Sequence, residues 1–97
     1  MIIELLVVPI GVGTSLSEYI AAVVKVIKDS GFKYESHSMG TNIECEWDDL
    51  TPLVKECHDV LKSMGVKRIS TSLKISERVD KDYTMRGKLE SLDKKME

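Results

Sequence analysis

The amino-acid sequence predicts an α+β fold: a four-stranded antiparallel sheet, two helices on one face, and an extra C-terminal helix. Three observations carry this expectation. Apolar residues recur with period two in four segments and with helical spacing in three others. The segments run strand, helix, strand, strand, helix, strand, helix. Gly31 and Gly65 stand at matching points, each closing the helix of one strand–helix–strand unit. Right-handed crossovers turn two such units into the ferredoxin-like βαββαβ split motif.

The first strand is expected up to Ile10, with Pro9 marking its end. Ile3, Leu5 and Val7 alternate with Leu6, Val8 and Ile10, so both faces are apolar. Gly11 to Ser15 reads as a turn. Ser15 and Glu18 have the spacing of a capping box, in which each side chain satisfies an orphan amide of the first helical turn. Leu16, Tyr19, Ile20, Val23 and Ile27 then follow at helical spacing.

Phe32 to His37 and Asn42 to Trp47 are expected as the second and third strands, joined tightly at Gly40-Thr41. Asp48 and Asp49 offer caps for the next helix, and Pro52 is tolerated in a first turn. Leu50, Leu53, Val54, Cys57, Leu61 and Met64 form its apolar stripe. Lys67 to Arg78 returns to period two, with Ser70, Ser72, Lys74 and Ser76 on one face. The last helix, Tyr83 to Glu97, is capped near Thr84 and carries Met85, Leu89, Leu92 and Met96 on one side. No linker divides the chain, so one domain over residues 1–97 is expected.

Two helices cover only one sheet face, while the first strand is apolar on both. An uncovered apolar face marks an interface. The expected partner is a second copy of the chain, with sheets packed face to face or edge to edge in a homodimer or homotetramer.

Composition excludes several classes. With 42% hydrophobic and 31% charged residues and only two Pro, the chain is neither disordered nor collagen-like. Its net charge of −2 provides no electrostatic footprint for nucleic acid. Two cysteines make no secreted disulfide framework. The first apolar run contains Glu4 and is too short to span a bilayer. A cytoplasmic protein without membrane or nucleic-acid partners is expected.

Motifs for chemistry are sparse. The Gly11–Ser15 loop lacks the Arg of an acylphosphatase and the Cys pair of a metal-trafficking domain. Cys45, Cys57, His37 and His58 have no paired ligand spacing, and Cys57 sits on an apolar stripe, so no metal site is expected. No nucleophile stands beside an oriented base, so no catalytic residues and no cofactor are expected. Hydrogen-bonding side chains gather instead around Gly40-Thr41, and Ser70 to Ser76 form a second polar row. Polar groups on a face that an oligomer buries need partners, either water or a bound small molecule.

The segments PIGVGTS (Pro9 to Ser15), YESHSMGTNIE (Tyr34 to Glu44) and RISTSLKISERVD (Arg68 to Asp80) resemble the small thiamine-binding-protein family. The most specific part is Met39 to Glu44, followed by Trp47. Ser38 stands where the family usually has Pro, and Cys45 where it usually has Gly. The resemblance implies a ferredoxin-like fold, a tetramer of paired dimers, and a non-enzymatic pocket for thiamine or a hydroxymethylpyrimidine-like compound. The alternative is a regulatory or structural protein-interaction module. The candidate ligand-binding residues are Ser15, Ser38, Thr41, Asn42, Glu44 and Trp47. Thr41 can donate or accept toward an aminopyrimidine, Glu44 can accept, and either Glu44 or the Trp47 ring suits a cationic thiazolium. Four of the six have a structural rival: a helix cap for Ser15, the turn for Thr41, a solvated or ion-paired carboxylate for Glu44, and packing on the next helix for Trp47. Arg78 is expected in an ion pair across an interface.

Overall fold

The computed structural model describes residues 1–97. Its elements are β1 (Ile2–Ile10), α1 (Ser17–Asp29), β2 (Tyr34–His37), β3 (Gly40–Glu44), α2 (Trp47–Ser63), β4 (Arg68–Ser76) and α3 (Met85–Met96). One sheet has the strand order β2-β3-β1-β4. Every neighbouring pair is antiparallel. This is the ferredoxin-like arrangement with an added C-terminal helix.

The alternation in β1 divides its apolar residues between two environments. Ile3, Leu5 and Val7 are at most 2% exposed and face α1 and α2. Ile27, Ile43, Cys57 and Leu61 complete the centre of that layer, each at most 1% exposed. Burying each such aliphatic side chain stabilises the fold by about 1.5–3 kcal/mol. On the other face Leu6 and Val8 are half-buried and Ile10 is exposed. No helix crosses this half of the sheet. The cover also thins toward β4: Leu73 and Ile75 point to the helix side yet remain 39% and 37% exposed. One polar contact ties α2 to β4 there, a 2.6 Å hydrogen bond between His58 Nε2 and Thr71 Oγ1.

Four local expectations need correction. Ser15 does not cap α1: the helix starts at Ser17, Leu16 is the N-cap residue, and no side chain caps it. Pro9 lies inside β1, opposite Ile69, and does not end the strand. Beyond Leu5 β1 has no β3 partner on one edge, and a residue without an N–H is tolerated at such an edge. The β2–β3 turn is Ser38-Met39, because His37 pairs with Gly40 and Thr41 already lies in β3. β3 ends at Glu44, so Trp47 opens α2 instead of closing a strand. Glu46 is the N-cap residue of α2, and its N–H donates to Asp49 Oδ2 at 3.0 Å.

Gly40 is required by geometry. Its φ is +150°, and a Cβ there would stand 2.9 Å from the Leu5 carbonyl oxygen. Only glycine lets the start of β3 come so close to β1.

Candidate open-face binding site

Strand register assembles the site. Glu35 of β2 pairs with Asn42 of β3, Asn42 with Glu4 of β1, and Glu4 with Lys74 of β4. Residues directly opposite share a face, so these four side chains form one polar row across the whole sheet. The row lies on the face away from α1 and α2. Beside it runs a second row of Glu44, Ile2 and Ser76.

α3 roofs part of this surface. Together they line a solvent-open cavity of about 270 Å³, with Glu4, Glu35, Asn42 and Lys74 on its sheet side and Met85, Lys88 and Leu89 on the helix. Few contacts hold α3. Met85 is its one buried side chain. The Met85 N–H donates to Glu44 Oε1 at 2.7 Å, placing a carboxylate against the positive N-terminal end of the helix. Thr84 caps the same end, its Oγ1 accepting from the Gly87 N–H at 3.0 Å. Just before the helix, the Tyr83 hydroxyl and Ser76 Oγ are hydrogen-bonded at 3.2 Å. That bond and the adjacent Lys88 ammonium hold the Tyr83 hydroxyl below the ordinary tyrosine pKa.

The charges of the site are unevenly distributed. His37 Nε2 lies 3.5 Å from Glu4 Oε2 and 3.1 Å from Asn42 Oδ1. This links the turn end of β2 to the polar row. Glu35 and Lys74 stand at opposite ends of the row, and neither belongs to an ion pair of the structure.

The six residues expected at a ligand site do not converge. Asn42 lines the cavity. Glu44 shares its face and is engaged by Met85. Thr41 points to the opposite face, is 4% exposed, and has its Oγ1 3.4 Å from Ser36 Oγ. Ser38 is exposed in the β2–β3 turn, and Ser15 is exposed in the loop after β1. Trp47 is 53% exposed at the far end of β3, where its Nε1 donates to Glu77 Oε2 at 2.9 Å. Arg78 pairs with Asp80 in its own chain, Nε to Oδ1 at 2.6 Å.

The residues missed from sequence are Glu4, Glu35 and Lys88. Glu4 carried a signal as the lone charge in an apolar strand, but its neighbours become visible only with the register. The four cysteine and histidine residues are dispersed. Cys45 and Cys57 lie in the core, while His37 and His58 occupy opposite faces of the sheet. Burial pushes the Cys57 thiol up to about 11 and raises that of Cys45 as well. No helix is long and apolar enough to cross a membrane.

The family model described as thiamine-binding protein matches residues 3–93. A UPF0045 protein of Synechocystis is 41% identical over 93 residues, covering 96% of this chain and 77% of that protein. A UPF0045 protein of Methanothermobacter thermautotrophicus is 42% identical over 95 residues, covering 96% of each. Among solved structures, a hypothetical protein of Methanocaldococcus jannaschii superposes with a TM-score of 0.85 at 36% identity, covering 95% and 94% of the two chains. A Thermotoga maritima protein has a TM-score of 0.81 at 26% identity, covering 94% of this chain and 96% of its own. Its description proposes a role in thiamine biosynthesis or salvage. With the matching family model and relatives above 40% identity across nearly its whole length, this chain belongs to the thiamine-binding protein family.

Proposed function

We propose that this protein is a non-enzymatic binder of a small polar molecule, thiamine or a hydroxymethylpyrimidine-like compound, and that the ligand sits on the open sheet face beneath α3. One observation carries the reading. The register lines up Glu35, Asn42, Glu4 and Lys74 on the face that the main helices leave bare, and α3 forms one wall of an open cavity over them. An aminopyrimidine presents ring-nitrogen acceptors and an amino donor. The Asn42 amide can serve both, and Glu4 accepts from the amino group. A cationic thiazolium is stabilised by the carboxylates of Glu4 and Glu35. Family membership and the role proposed for the Thermotoga maritima protein support the ligand class. Of the six residues expected from sequence, the proposal keeps Asn42 as a contact and Glu44 as the anchor of α3.

Isothermal titration with thiamine and with hydroxymethylpyrimidine tests the ligand. Binding that Asn42→Ala weakens by about 1–3 kcal/mol, the range for a lost buried polar contact, is the expected result. Absence of heat with both compounds overturns it.

Self-association belongs to the same proposal. β4 is an edge strand of nine residues with Leu73 and Ile75 exposed on one side, and Ile10 is bare on the open face. Such an edge templates another strand unless it is covered. Light scattering after size exclusion is expected to give a dimer or larger. A stable monomer at micromolar concentration overturns this part.

A further inference from the structure

The charges lining the open-face cavity are sorted by sign, and the sorting selects among ligands. At one end stands Glu35 on β2; at the other stands Lys74 on β4, with Ser76 next to it. Strand spacing puts the backbones of Glu35 and Lys74 about 14 Å apart. Lys88 enters from α3 and lines the same cavity. Its ammonium lies 5.6 Å from the centre of the Tyr83 ring and makes no ion pair. Two ammonium groups and the Ser76 hydroxyl therefore face the cavity, and neither ammonium is within ion-pair distance of a carboxylate. Glu4, the acid opposite Lys74, is engaged on its other side by His37 at 3.5 Å.

We infer that the ligand is an amphoteric phosphate ester, its cationic heterocycle over Glu35 and Glu4 and its phosphate between Lys74 and Lys88. This rests on the proposed function and specifies the ligand's charge. A purely cationic ligand meets like charge at the Lys74 end. A phosphate there makes charge-assisted hydrogen bonds with both ammonium groups and accepts from Ser76 Oγ.

Titration calorimetry of the full chain against thiamine, thiamine monophosphate and inorganic phosphate tests this. Thiamine monophosphate is expected to bind roughly tenfold tighter than thiamine, a charge-assisted contact's worth. The gap should narrow as salt is raised, because the cavity is open to solvent. Lys74→Gln should abolish the preference from both sides, weakening thiamine monophosphate and, by removing the like charge, tightening cationic thiamine. Glu35→Gln should weaken both compounds equally. Both residues are exposed, so neither variant should disturb folding. Equal affinity for the two thiamine compounds overturns the inference and leaves the proposed function standing. So does inorganic phosphate binding as tightly as the ester. Binding of neither thiamine compound overturns the inference, and absence of binding to hydroxymethylpyrimidine as well overturns the proposed function.

Discussion

Removing the Glu44 carboxylate should loosen α3 without loosening the sheet. α3 is held by the burial of Met85, at 8% exposure, by the 2.7 Å bond from the Met85 N–H to Glu44, and by the Ser76–Tyr83 bond before it. Leu89, Leu92 and Met96 are 51%, 52% and 68% exposed and contribute little. A hydrogen bond to a charged acceptor is worth about 1.5–3 kcal/mol, against about 0.5–1.5 for a neutral one. Glu44→Gln keeps an acceptor at the same place but loses the charge, so it should cost about 1 kcal/mol of docking. Glu44→Ala loses the whole contact, about 1.5–3 kcal/mol. Amide exchange read by mass spectrometry reports this locally. In α3 it should accelerate roughly fivefold for the Gln variant and roughly ten- to hundredfold for the Ala variant. Exchange in β1 and β3 should stay unchanged, because their core face is untouched. Unaltered exchange in α3, or acceleration shared equally by the sheet, would refute the tether.

Other substitutions probe the core and the backbone. Gly40→Ala must place its Cβ 2.9 Å from the Leu5 carbonyl at a φ of +150°, and it should lower stability to urea by about 1–3 kcal/mol or more. Leu61→Ala opens a cavity at a fully buried position and should cost about 2–5 kcal/mol in the same assay. The Cys57 thiol titrates near 9.0 when unfolded and near 11 in the fold. Between those values only the folded state keeps the proton-bound form, so stability should fall as pH rises, by up to about 1.4 kcal/mol per pH unit. Cys57→Ala should flatten the slope of unfolding midpoint against pH in that window. An unchanged slope would show that another group dominates.

Much of the fold was legible because hydrophobic period and element type coincide. The apolar stripe Leu53, Cys57, Leu61 is buried as a unit, and Thr84 caps α3 as its position suggests. The errors fall where short-range cues compete. Ser15 and Glu18 match a capping box, yet the chain turns into α1 only at Ser17, so the pattern was coincidental. Trp47 reads as the end of a strand by composition. The Glu46–Asp49 contact instead starts a helix there, and tertiary context overrides β-propensity.

The candidate site was less legible for a reason that follows from sheet geometry. Sequence spacing along one strand tells which residues share a face, but not which residue of the next strand stands opposite. Sliding β3 by a single residue against β1 would put Thr41 on the open face and Asn42 in the core. The register is fixed by the Ser38-Met39 turn and by the close approach of Gly40 to Leu5. Gly40 lies in the Met39 to Glu44 segment, the most specific part of the family resemblance, and the turn leads directly into it. The segment's sequence predicts a source of ligand contacts. In the fold it supplies one lining residue, Asn42, and one helix anchor, Glu44, while Gly40 and Thr41 serve the sheet. The segment thus sets the register as well as lining the cavity. Charges scattered over three strands, Glu35, Glu4 and Lys74, meet in one cavity only because that register holds.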